Sequence, residues 1–166
     1  SKIVVCNIDS RIKNKMKVIE VSSAKDKKSK VASLTETLKH LYVERPNHII
    51  SVLINDGDVI KGTIDLLHKE FSDIKTCVFA SDNLSKEQEL EESNKAKEIS
   101  LGSMVGDDVN ILFATNAMEY GVSINNNKEV TTVITDLNQS SIDIETCIQF
   151  TARFRNPKDY ENEVIV

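Results

Sequence analysis

HIISVLINDGDVIKGTIDLL, residues 48–67, holds the reading that decides the fold. Its first part, Ile49 to Ile54, is apolar almost without interruption, where a strand with one wet face would alternate. A strand of that kind has both faces covered. After the polar turn Asn55-Asp56-Gly57-Asp58 the period changes: Ile60, Ile64, Leu67 and Phe71 recur at steps of three and four, which predicts a helix with Asp58 as its N-cap. Strand, tight turn and helix make half of a βαβ unit, the building block of parallel sheets.

The same pattern extends in both directions. Strands are predicted at Ile3 to Ile8, Val18 to Ser22, Thr76 to Ala80, Val109 to Thr115 and Val130 to Asp136, several of them continuously apolar (ILFA, TTVIT). A helix carries Val31, Leu34, Leu38, Leu41 and Tyr42 on one stripe before Arg45-Pro46 stops it. Residues 85–98 (SKEQELEESNKAKE) form a polar helix pattern with a Glu91–Lys95 pair, and a last helix runs from Asp143 to Phe154 with Ile144, Ile148 and Ala152 inward and Pro157 closing it. Lys25 to Lys30 (KDKKSK) reads as a charged connector, and the opening two strands as a local hairpin or a lead-in from a preceding domain. The expected fold class is α/β, a mainly parallel central sheet with helices on both faces.

The 166 residues are 40% hydrophobic and 28% charged, with five Gly, two Pro and no Trp, a composition that suits one folded domain and excludes disordered or repetitive classes. The ends, Ser1-Lys2-Ile3 and Val164-Ile165-Val166, enter and leave apolar runs abruptly, as in one domain of a longer protein. A net charge of −5 argues against holding nucleic acid by bulk positive potential and leaves a local track as the only option. Cys6, Cys77 and Cys147 are odd in number and lie in apolar stretches, so they read as buried, reduced thiols of an intracellular, cytoplasmic protein. His40, His48 and His68 are scattered and no CxxC occurs, so no metal site is expected; no apolar run reaches the ~20 residues of a membrane span.

Ligands of open parallel sheets meet the loops at the carboxyl ends of the strands. Neither GxxxxGK[ST] nor GxGxxG stands there, and no nucleophile elbow or HExxH is present, so the chain has no phosphate cradle or hydrolase site of its own. It does contain two chemistry-bearing segments about thirty residues apart: ILFATNAMEYGVSI (111–124) and CIQFTARFRNP (147–157). The first resembles motif V and the second motif VI of superfamily 2 helicases, and HIISVLINDGDVIKGTIDLL is similar to the strand and helix of motif IV. The order agrees from about Asn47 to Asn156. The QxxARxRNP ending and the GVSI triplet look closer to origin-binding and phage replication helicases, phage- or virus-encoded, than to DEAD-box RNA helicases.

The resemblance implies a RecA-like three-layer sandwich forming the second motor lobe, with ATP and Mg held mainly by a partner, the N-terminal RecA-like lobe. It implies that Arg153 and Arg155 supply charge to the transferring phosphoryl group, that Gln149, Gly121 and Ser123 face the nucleotide, and that Thr115, Asn55 and Ser81 contact a nucleic-acid backbone. DNA is favoured over RNA as the partner, and no membrane is involved. Two departures bear on this. Ser123 stands where many relatives have Asp, and Arg155 follows Arg153 by two residues instead of three, a rotation of about 200° on a helix. Both arginines can serve one site only if the helix breaks near Phe154, which Pro157 favours. A non-catalytic RecA-like interaction domain is the alternative; a small-nucleotide or receiver-like domain lacks the glycine-rich loop or acidic cluster it would need.

Overall fold

A computed structural model of the chain describes residues 26–79, 108–115, 128–135 and 144–151 with Ile124 and Phe154, and by backbone the strands Ile3–Cys6, Met16–Ile19, Met104–Val105, Asn125–Asn126 and Asn162–Ile165. In chain order these are β1 (Ile3–Cys6), β2 (Met16–Ile19), α1 (Lys27–Glu44), β3 (His48–Leu53), α2 (Gly57–Glu70) and β4 (Thr76–Phe79). There follow β5 (Met104–Val105), β6 (Ile111–Ala114), β7 (Asn125–Asn126), β8 (Glu129–Ile134), α3 (Ile144–Thr151) and β9 (Asn162–Ile165). Seven strands form one sheet in the order β1-β2-β9-β8-β3-β6-β4, and β5 pairs with β7 separately. Every neighbour in the large sheet is parallel except β1 and β2, which pair antiparallel with Ile3 opposite Ile19, as the hairpin reading expects.

β3 is the axis of the fold. All its residues after His48 are buried, as are all four of β6 and all but the first of β8, so the continuous apolar runs do mark strands covered on both faces. One face holds Ile50, Val52, Ile111, Phe113, Val78 and Val133 in a single cluster with Leu34, Leu38 and Leu41 of α1 and Ile60, Ile64 and Leu67 of α2. Burying a side chain of this size contributes about 1.5–3 kcal/mol. Tyr42 and Phe71 close the far end of the two helices edge to face, with centroids 5.0 Å apart. The connections β2–α1–β3 and β3–α2–β4 advance across the sheet in one direction, whereas β8–α3–β9 goes the other way. Right-handed crossovers therefore put α3 on the face opposite α1 and α2, giving a three-layer α/β sandwich.

Three local expectations are corrected. The connector KDKKSK is mostly helix: α1 begins at Lys27 because Asp26 caps it, accepting from Ser29 N at 2.9 Å and Ser29 Oγ at 2.7 Å. The N-cap of α2 is Asp56, not Asp58; the Asp56 carboxylate accepts from the amides of Asp58 and Val59, while Asp58 lies in the first turn. The last helix spans Ile144–Thr151 and does not reach Phe154, which is paired in parallel with Ile124 in an extended bridge. The polar helix pattern at 85–98 lies outside the described residues. Cys77 is buried, as expected; the side chains of Cys6 and Cys147 lie outside the described residues.

Candidate functional site

The carboxyl ends of the central strands are level. Phe79, Ala114, Leu53 and Ile134 are register partners across β4, β6, β3 and β8. Beyond that row the ladder continues by one step: Thr115 N–H donates to Phe79 O (3.1 Å), Ile54 N–H to Ala114 O (3.0 Å) and Thr135 N–H to Leu53 O (3.1 Å). Thr115, Ile54 and Thr135 thus form the top row of the sheet, with Asn55 one residue higher. By the pleat, Thr115 and Thr135 flank Ile54 on the face that carries α1 and α2.

This edge is also where the topology reverses. From β3 the chain leaves to the α1–α2 face, and from β8 it leaves through α3 to the other, so a crevice opens between the ends of β3 and β8. Asn55 and Thr135 stand on its two sides. Beside Asn55, Lys27 Nζ lies 2.8 Å from Asp58 Oδ2 and 3.6 Å from Asp56 Oδ2, joining the starts of α1 and α2. The hydrogen bond to Asp58 raises the Lys27 ammonium above its ordinary value and lowers the Asp58 carboxyl below its own. Because Asp56 already occupies the α2 amides, this helix start is not a vacant anion site.

Of the residues assigned from sequence, Thr115 directly follows β6 and is buried, and Asn55 is exposed at the entrance to α2. Adjacent strands bring these two to the same edge. Gln149 is exposed on α3, with its Nε2 donating to Glu145 Oε1 at 3.5 Å. Ser81, Gly121, Ser123, Arg153 and Arg155 lie outside the described residues. The residue that sequence reading passed over is Thr135. The run TTVIT signalled a strand, but nothing in it distinguished the hydroxyl at its end from those within.

The opposite edge of the sheet carries an acid, an imidazole and a hydroxyl in line: Glu129 Oε2 is 2.7 Å from His48 Nε2, and His48 Nδ1 is 2.9 Å from Thr131 Oγ1. It is not a nucleophilic relay. Thr131 is fully buried, and its oxygen already accepts from Arg45 Nη1 at 3.1 Å. The group clamps the amino ends of β3 and β8 to the C-cap of α1. Among the described residues no cluster of His, Cys, Asp and Glu fit to hold a metal occurs, and no helix is long and apolar enough to cross a membrane.

No known sequence family and no curated protein matches the chain in sequence. Solved structures do match in fold. Mss116p DEAD-box helicase domain 2, determined bound to an RNA duplex, is similar with a TM-score of 0.56 at 15% identity, over 89% of this chain and 52% of that one. The E. coli DEAD-box protein SrmB, bound to the regulator of ribonuclease activity A, gives 0.52 at 16% identity over 92% of this chain and 75% of that one. The C-terminal part of the Fun30 ATPase domain gives 0.51 at 17% identity, over 82% and 40%. The chain spans about half the length of the Mss116p structure it matches. With the strand order and covered sheet described above, these likenesses make the chain a RecA-like α/β domain sharing its architecture with helicase and ATPase domains.

Proposed function

We propose that the chain is the C-terminal motor lobe of an ATP-dependent nucleic-acid helicase or translocase. It closes on an N-terminal RecA-like lobe that carries ATP and Mg, and it grips the phosphates of one strand along the carboxyl edge of its sheet. One observation supports this reading above the others. Thr115 and Asn55, assigned to the strand track from motif order alone, lie just beyond the carboxyl ends of the neighbouring parallel strands β6 and β3, at the edge where such sheets bind ligands. Neutral donors of that kind suit a chain of charge −5.

Arg153 or Arg155 completes the ATP site across the interlobe cleft, with Gln149, Gly121 and Ser123 nearer the nucleotide; Ser81 joins Asn55 and Thr115 on the strand track. For both arginines to serve one site the helix must end before Phe154; α3 ends at Thr151 and Phe154 is bridged to Ile124, which is compatible with that requirement. Following the motif resemblance, DNA is the substrate favoured over RNA, in a replicative role of the origin-binding or phage type. Alone, the lobe hydrolyses no ATP.

The test is Arg153→Ala and Arg155→Ala in the protein that joins this chain to a lobe with a phosphate-binding loop. At least one substitution should lower nucleic-acid-stimulated ATPase by ~10³-fold or more with the melting transition unchanged. Full turnover in both variants ends the proposal. Ser123 and the shortened arginine spacing favour a second reading, a RecA-like interaction domain without turnover. Nucleic-acid binding with no stimulated ATPase in the unmutated protein would select it.

A further inference from the structure

Among the described residues, only Thr63 and Thr135 have a buried side-chain oxygen with no hydrogen-bond partner. Thr63 lies in the middle of α2, buried in the interior. Thr135 is placed otherwise. It is the first residue after β8, held by its N–H to Leu53 O, and it stands across the β3–β8 crevice from Asn55. As a residue it is partly exposed, yet its Oγ1 is closed off from solvent. An unpaired buried hydroxyl costs stability that a valine of the same shape would not, so its presence at a ligand edge calls for a partner that arrives with the ligand.

We infer that the Thr135 hydroxyl is a further contact of the strand track, donating to a phosphodiester oxygen of bound nucleic acid beside the contacts of Asn55 and Thr115. The inference rests on the nucleic-acid reading above. The geometry supplies three supports. Thr135 occupies the same top row as Thr115, with Ile54 between them, so the two hydroxyls are spaced along one edge. The crevice between β3 and β8 is the topological switch point of the sheet, and Thr135 is the residue that directly follows β8 there. A hydroxyl that lacks a partner in the free chain and gains one in the complex favours the bound arrangement by its whole hydrogen bond. Contact requires Oγ1 to become accessible as the phosphate enters.

The experiment uses the chain itself with fluorescein-labelled 20-nucleotide single strands of DNA and of RNA, titrated across a range of salt. Thr135→Val should weaken binding about tenfold while the melting temperature stays equal or rises. Thr135→Ser, which keeps the hydroxyl, should bind within about twofold of the native chain. The slope of log affinity against log salt should be the same for all three chains, because a neutral donor releases no counterion when it is lost. Native affinity in Thr135→Val overturns the inference and leaves the motor reading standing. A fall in affinity together with a fall in melting temperature, or a changed salt slope, also overturns it, by showing that the residue acts through the fold. Failure of the native chain to bind either strand overturns the inference and the strand-track reading together.

Discussion

Ser51 Oγ and Thr132 Oγ1 lie 2.8 Å apart, both fully buried, 81 residues apart in sequence and side by side where β3 pairs with β8. Each hydroxyl satisfies the other within an otherwise apolar layer. Ser51→Ala strands the Thr132 hydroxyl and should cost about 1–3 kcal/mol, whereas Ser51→Ala with Thr132→Val removes both and should cost distinctly less. Urea unfolding of the three variants gives the coupling energy. Additive losses would show that the hydroxyls do not depend on each other.

Thr63 offers the reverse case. Its hydroxyl is buried in α2 without a partner, so Thr63→Val should stabilise the chain by about 1 kcal/mol. Thermal melting reads this as a rise, and a fall would mean that the hydroxyl is satisfied in solution.

Gly62 of α2 packs against Val31 of α1. A Cβ built there would stand 3.1 and 3.3 Å from the two methyls of Val31. Gly62→Leu should therefore destabilise by roughly 1–3 kcal/mol through overpacking. In a Val31→Ala background the obstruction is gone, and Gly62→Ala should then gain the helix propensity of alanine, about 1 kcal/mol. Loss of stability on adding Gly62→Ala to Val31→Ala would place the constraint elsewhere.

The Lys27–Asp58 pair gives a pH signature. A hydrogen bond to Lys27 holds the Asp58 carboxyl below its ordinary 3.8, so its contribution is present above that value and lost as the pH falls through the lowered one. The same bond raises the Lys27 ammonium above 10.5, so its contribution is present below that value and lost as the pH rises through the raised one. Both groups are exposed, and the effect is small and screened by salt. Lys27→Met should reduce the urea midpoint at neutral pH in low salt. The deficit should vanish below the carboxylate range and shrink in molar salt; a deficit unchanged at pH 2 would mean that the lysine stem acts by packing alone.

How far these features could be read in advance depends on their physics. Continuous apolar runs made β3, β6 and β8 legible, and three- and four-residue spacing made α1 and α2 legible, because each pattern answers directly to burial. The caps were harder. Asp56 and Asp58 are chemically alike and two residues apart, and only backbone geometry decides which carboxylate meets the free amides. Lys27 to Lys30 show no apolar stripe, so the first turn of α1 was invisible to periodicity. β9 offers only Val164 and Ile165 as apolar residues and is a strand because β2 and β8 pair with it from both sides. At the candidate site, Thr115 and Asn55 stood out by motif order. Thr135 did not, because what sets it apart is a missing partner, a property of the folded neighbourhood.

Asp56 has one more effect. By keeping its carboxylate on the first amides of α2, the chain carries its own resident counter-anion at the corner nearest the crevice. An anion arriving at that corner meets amides that are already neutralised and has no reason to lodge there. Under the proposed motor reading, a nucleic-acid strand would be left to the uncharged residues along the sheet edge.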